Sequence, residues 1–130
     1  MKNSHNKGFT LIEVMTAMAL LGLVLVGLMQ IVPSMLKVGT KIEIITKSTF
    51  LAEKKMEEIR SLIKSDYTKN YTQTATAFSA PDSLYKFTIS DDADVNIKVL
   101  NVTVWKDTNG NGVVDSTEYS VSLDTKVARS

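Results

Sequence analysis

Apolar residues run almost without a break from Phe9 to Leu36, and Glu13 is the single charge among them. From Phe9 to Gln30 the run is about 22 residues long, enough for one helix to cross a bilayer. Pro33 follows near its end, and a proline inside a helix removes a hydrogen bond and kinks the axis. A bend rather than a stop is expected there, because helical spacing resumes beyond it. Met35, Val38, Ile42, Ile45, Thr49, Ala52, Met56, Ile59 and Ile63 alternate steps of three and four, one face of a helix. Lys37, Lys41, Glu43, Lys47, Glu53, Lys54, Lys55, Glu57, Glu58 and Arg60 fill the solvated side. The pairs Glu43–Lys47 and Lys54–Glu58, four residues apart, would each add a few tenths of a kcal/mol. Taken from Phe9 to Ile63, such a helix would be about 80 Å long.

The periodicity ends at Asp66. Between residues 66 and 83, Thr, Ser, Asn and Pro81-Asp82 mark a long connection with room for a short turn or strand. Tyr67, Tyr71 and Phe78 read there as local packing residues. Strand signals follow in Leu84–Ile89, which closes at the acidic turn Ser90-Asp91-Asp92. Val95, Ile97 and Val99 alternate in one phase, then Leu100, Val102 and Val104 in the other, which predicts a bulge or sharp bend at Val99-Leu100. Tyr119, Val121, Leu123, Thr125 and Val127 form the last alternating segment. Three strands with one apolar face, covered by the helical stripe, predict a two-layer α+β fold. The sheet without the helix would bury too little to stand alone.

Composition narrows the chemistry. There is no cysteine, and the only histidine is His5. A chain without thiols, and with its one imidazole in a short leader, lacks the commonest general base and the softer metal ligands. An enzyme is not expected. The net charge of +1 gives no general reason to expect nucleic acid, and the head has no basic cluster with interleaved aromatics. Lys2 and Lys7 lie on the N-terminal flank of the apolar run, which puts that flank in the cytoplasm and the rest of the chain outside. Removing them from the 15 basic side chains leaves 13 against 14 acidic ones.

The segment MKNSHNKG, residues 1–8, has the character of the basic start of a secretory signal peptide, with Val32-Pro33-Ser34 as its cleavage site. The length of the apolar run from Val14 to Met29 and the presence of Glu13 inside it argue against that reading. A carboxylate in a membrane-length segment costs roughly 2.5–3.5 kcal/mol on insertion scales, so it calls for a partner or for a proton. Cleavage after Gly8 would supply the partner, a new positive N-terminus.

The stretch Lys7-Gly8-Phe9-Thr10-Leu11-Ile12-Glu13-Val14 resembles the processing site of type IV prepilins and type II secretion pseudopilins. The resemblance implies that a prepilin peptidase cuts between Gly8 and Phe9 and methylates the amino group of Phe9. It also implies that Glu13 attracts the N-terminus of a neighbouring subunit and sets the axial stagger. Leu51–Ser61, LAEKKMEEIRS, is similar to a helix stretch of minor pilins and minor pseudopilins. Val102-Thr103-Val104-Trp105 with Tyr119–Leu123 is similar to their C-terminal hairpin. These favour the minor group, proteins like the pilus modification protein and minor pseudopilin I, and the absence of a C-terminal cysteine pair points away from many major pilins.

One stretch lies outside that frame. Asp107–Glu118, DTNGNGVVDSTE, satisfies the twelve-residue EF-hand loop pattern. Asp107, Asn109 and Asn111 would offer side-chain oxygens and Val113 its carbonyl. Gly112 would permit the sharp turn, Asp115 would act through water and Glu118 would bind by both oxygens. A polar hairpin tip is the alternative, since Asn-Gly is also a strong turn former. Without flanking helices this is no EF-hand fold, and three carboxylates suit a structural Ca2+ of extracellular-range affinity.

The expected organisation is a leader at 1–8, a transmembrane and filament-core helix at 9–33, and a pilin-like head at 34–130. The expected role is a structural and assembly subunit of a type IV pilus or secretion pseudopilus. Its expected partners are the prepilin peptidase, other pilin or pseudopilin subunits, the inner-membrane assembly platform and, before assembly, membrane lipid. Two other readings stay open: an anchored calcium-binding module that does not polymerise, and a tip adhesin or DNA-binding subunit.

Overall fold

In the computed structural model, which describes residues 8–129, one helix precedes a four-stranded sheet. The expected leader, apart from Gly8, lies outside the described residues. The helix α1 spans Leu11–Ser65 and stays helical through Pro33. The strands are β1 (Gln73–Ala77), β2 (Tyr85–Asp91), β3 (Ile97–Lys106) and β4 (Ser120–Ala128), in the spatial order β1-β2-β3-β4 with every neighbour antiparallel. The chain divides into two compact units, residues 1–39 and residues 40–130.

In the first unit every described side chain is exposed, the apolar ones included. Met35 and Val38, the first two positions of the stripe, belong to it. In the second unit the buried face of α1 consists of Ser48, Leu51, Ala52, Met56, Ile59 and Ile63. These form one core with Tyr71, Tyr85, Phe87, Ile89, Leu100, Val102 and Val104, while Phe78 and Tyr67 pack at its margin. The later part of the stripe is therefore the packing face, although Ile42 is exposed and Ser48 and Leu51 join it. The intrahelical ion pairs differ from the expected ones. Lys47 reaches Asp82 (2.5 Å), and Glu58 pairs with Lys55 (3.0 Å) rather than Lys54.

The helix ends where its last carbonyls find other partners. The Tyr71 hydroxyl lies 2.9 Å from the carbonyl oxygens of both Leu62 and Asp66. The Asp66 carboxylate then turns the chain by accepting the Thr68 N–H (3.0 Å). The first interaction gives a donor to the Leu62 carbonyl, one of the last four that a helix end leaves open.

Four strands replace the expected three. β1, sequence QTATA, lies in the connection after α1 and has a register irregularity between Gln73 and Thr76, where Ala75 adopts φ +47°. The acidic turn also begins later than expected, since Asp91 is the buried last residue of β2. The predicted bulge at Val99-Leu100 is absent. β3 keeps unbroken register with β2 from Leu100 to Lys106 and with β4 from Ile97 to Trp105. Its inner phase is Lys98, Leu100, Val102 and Val104, all buried, whereas Ile97 and Val99 are exposed. A buried lysine at the head of that phase is what imitates a phase switch in the sequence.

Candidate functional site

Two regions carry the sequence motifs, one in each unit. In the first, Gly8, Phe9 and Thr10 precede the helix in non-helical backbone, and Phe9 is 83% exposed. Thr10 caps the helix: its Oγ1 accepts the Glu13 N–H at 3.4 Å, and its carbonyl accepts the N–H groups of Glu13 (3.0 Å) and Val14 (3.2 Å). Thr10-Leu11-Ile12-Glu13 thus has the capping-box spacing, threonine at the cap and glutamate three residues on. Spacing alone would have revealed it, and it gives Glu13 a local reason for its place. A carboxylate in the first turn faces the positive end of the helix dipole. Glu13 also shares a shallow groove with Phe9, Val14, Ala17, Met18 and Leu21. A Cβ placed on Gly8 would meet nothing within 4 Å, so the chain itself tolerates bulk at that position.

The remaining part of the segment is apolar enough for a membrane. The most apolar 18-residue window of α1 has a mean hydropathy of 2.3, and none of that window is buried. Residues 3–29 match the family described as the prokaryotic N-terminal methylation motif. The chain carries a prepilin-type N-terminus. The match lies wholly within the N-terminal segment, and it supports a relation to the type IV pilin and pseudopilin family without reaching the head. A prepilin-type motif on an exposed apolar helix fits a membrane anchor. No curated protein and no solved structure matches the chain. The head beyond residue 29 is accordingly described by its own geometry, a helix on a four-stranded antiparallel sheet that is consistent with a pilin-like fold.

In the second unit, Asp107–Glu118 connects β3 to β4. The ladder runs to its edge, where the Asp107 N–H donates to the Leu84 carbonyl (2.9 Å). The Asp107 carboxylate is buried and accepts the N–H groups of Gly110 (2.7 Å) and Gly112 (2.9 Å). Gly110 and Gly112 have φ +77° and +75°, which side-chain-bearing residues rarely adopt. Asn109 and Asn111 donate their side-chain amides to Asp115 Oδ2 at 2.5 and 2.9 Å. Their oxygens accept the N–H groups of Asn111 (3.0 Å) and Val113 (2.8 Å). Glu118 Oε1 accepts from the Thr108 N–H (2.8 Å) and hydroxyl (2.9 Å), and its Oε2 from the Asp115 N–H (3.4 Å).

A residue outside the motif completes this arrangement. Lys86 of β2 reaches Asp107 Oδ2 at 2.5 Å. Its ammonium, with the N–H groups of Gly112 and Gly110, holds the Asp107 carboxyl below the usual carboxylate range although burial opposes this. The loop folds toward the same strands, for a Cβ on Gly112 would lie 3.4 Å from Lys86 Nζ and 3.7 Å from Ala75 Cβ.

The donor set fits calcium in kind: carboxylate, amide and carbonyl oxygens, with a glycine at the sixth position. Its side-chain oxygens already accept from the loop's own N–H, amide and hydroxyl groups and from Lys86, and an ion would have to exchange those bonds for its own. Among the described residues, no three carboxylates or imidazoles converge as a ligand group.

Proposed function

We propose that the chain is a minor pilin or minor pseudopilin, inserted in the inner membrane with its leader in the cytoplasm and its head outside. Cleavage after Gly8 frees Phe9, and the exposed apolar helix then packs among other subunits in a type IV pilus or secretion pseudopilus. The assembly platform of the inner membrane is its other partner. The observation that carries this reading is the methylation-motif match on a segment with Gly8-Phe9 in accessible, non-helical backbone ahead of an unburied apolar helix. The minor assignment rests on the resemblance of LAEKKMEEIRS, and of VTVW with Tyr119–Leu123, to the minor group, and the burial of their apolar positions is packing common to any such helix and sheet. In LAEKKMEEIRS the apolar positions Leu51, Ala52, Met56 and Ile59 are core residues, and VTVW supplies Val102, Val104 and Trp105 to the buried set.

Calcium has a structural part in this reading. Asp107, Asn109, Asn111, the Val113 carbonyl, Asp115 and Glu118 would hold it, tying the start of β4 to the end of β3. A small sheet without disulfides gains from such a staple.

Mass spectrometry of the N-terminus tests the central claim. The expected product begins at Phe9 and carries one methyl group on its amine. An intact leader or an unmethylated Phe9 overturns the reading in favour of an anchored module that does not polymerise.

A further inference from the structure

The twelve-residue loop motif does not include the residue that neutralises its first carboxylate. In the β2–β3 register Lys86 pairs with Trp105, and Leu84 stands opposite Asp107. Lys86 and Asp107 are therefore diagonal neighbours on one face of the sheet, within reach of a long side chain. The ladder itself delivers the ammonium to the carboxylate, whatever the loop does. Both groups are well covered, with side-chain exposures of 21% for Lys86 and 2% for Asp107. A carboxylate that deeply placed requires a cation or a proton.

We propose that Lys86 is the resident cation of the 107–118 loop: its ammonium closes the loop over the sheet without a metal, and calcium enters only by displacing it from Asp107. Three observations carry this. Lys86 Nζ holds the Asp107 oxygen, Oδ2, that also accepts the Gly112 N–H. The Gly112 turn lies against the same ammonium. The other two carboxylates, Asp115 and Glu118, are already engaged inside the loop, so the closed form holds together with Lys86 as its counter-charge. An ammonium and a divalent cation repel each other strongly at that range, so holding both on Asp107 Oδ2 is unfavourable. Removing the lysine therefore both loosens the metal-free loop and vacates its first ligand. The calcium half of the inference rests on the calcium reading above; the metal-free half does not.

The test uses the full chain in detergent micelles, compared with Lys86→Met and Lys86→Arg. In chelator, hydrogen exchange at the Gly110 and Gly112 amides is expected to quicken at least tenfold in Lys86→Met and to stay near the original rate in Lys86→Arg. Unchanged exchange in Lys86→Met overturns the proposal. Calcium titration, followed by fluorescence of Trp105, the only tryptophan, is expected to show at least tenfold tighter binding in Lys86→Met than in the original chain. Equal affinities overturn displacement. If neither chain binds calcium, the calcium reading fails, and quickened exchange in chelator then leaves Lys86 as the loop's cation. Should Lys86→Met fail to fold, Lys86→Gln with the same two readouts replaces it.

Discussion

Lys98 Nζ lies 3.1 Å from Asp91 Oδ2, and the two side chains are 3% and 0% exposed. Neither partner is merely paired. Lys98 also donates to the Lys69 carbonyl (2.7 Å), and Asp91 accepts the N–H groups of Tyr71 (3.1 Å) and Ala93 (2.8 Å). The pair therefore fastens the segment after α1 and the β2–β3 turn to the inner face of the sheet. Tyr67 adds a second fastening, since its hydroxyl accepts the Lys98 N–H (3.0 Å) and donates to the Val127 carbonyl (3.3 Å).

Breaking that pair from one side leaves a buried charge alone. Lys98→Met is expected to destabilise the chain by about 3–5 kcal/mol, the usual cost of removing one partner of a buried ion pair. The double variant Asp91→Asn with Lys98→Met removes both charges and is expected to recover part of that loss. Denaturant unfolding of the four chains of this cycle measures the coupling, and strictly additive losses would contradict it.

The same pair sets a direction for acid stability. Burial pushes the Asp91 carboxyl up, but the N–H groups of Ala93 and Tyr71 and the Lys98 ammonium outweigh it and hold the group below the ordinary carboxylate range. Asp94 is lowered by the N–H groups of Ile97 and Asn96. A carboxyl with a depressed folded pKa stabilises fully above its unfolded value, about 3.9 for Asp, and that stability is lost as pH falls through the folded value. Melting temperature is expected to be flat from neutral pH to about pH 5 and to drop below about pH 4. In Asp91→Asn the drop is expected to be shallower, from a lower starting temperature.

The features that spacing revealed and those it hid share one cause. Periodicity reports a face only when every position on it is apolar. Ala52, Met56, Ile59 and Ile63 obey that rule, and the helix is legible throughout. Lys98 breaks it, sitting on the inner face of β3 because Asp91 is there to meet it, and the sequence consequently mimics a bulge. β1 offers no large apolar residue and is recruited by pairing with β2. Lys86 is the corresponding case in the loop, because its partner Asp107 is about twenty residues away and adjacent only through the β2–β3 register. In the N-terminal segment the Gly8-Phe9 and Glu13 motif is legible as it stands, whereas the Thr10 cap that shares its residues is easily overlooked beside it.

Calcium should act on the head as a stabiliser of modest affinity. The melting temperature of the chain in detergent is expected to be higher with millimolar calcium than with chelator, as for any ligand that binds only the folded state. Asp107→Ala is expected to lower it under both conditions, having also removed the partner of Lys86, and to abolish the difference between them. Equal melting temperatures in the original chain, unchanged in this comparison by Asp107→Ala, would leave the loop as a turn.

Gly8 separates folding from processing. Open space surrounds its Cα, so Gly8→Leu is expected to leave the melting temperature of the chain unchanged. A peptidase that binds its target extended has no such latitude, and the variant is expected to accumulate with its leader intact. Mass spectrometry of the membrane fraction reads the outcome. Normal cleavage of Gly8→Leu would show that glycine is not required at this bond.

Glu13 has two candidate duties, and Thr10 tells them apart. If Glu13 serves chiefly to complete the helix cap, then Thr10→Ala, which removes the threonine half at a cost of about 1 kcal/mol, should impair the protein more than Glu13→Gln, because glutamine completes a capping box as glutamate does. If the carboxylate serves to meet the amine of a neighbouring subunit, only loss of its charge matters. Glu13→Gln keeps the size and most of the hydrogen-bonding capacity of the side chain, so it discards little besides the charge. The expected result is that both variants are processed to Phe9, that Thr10→Ala enters sheared filaments at close to the original level, and that Glu13→Gln is depleted from them at least tenfold while persisting in the membrane. Depletion of Thr10→Ala with Glu13→Gln retained at the original level would assign Glu13 to the cap and withdraw its part in assembly.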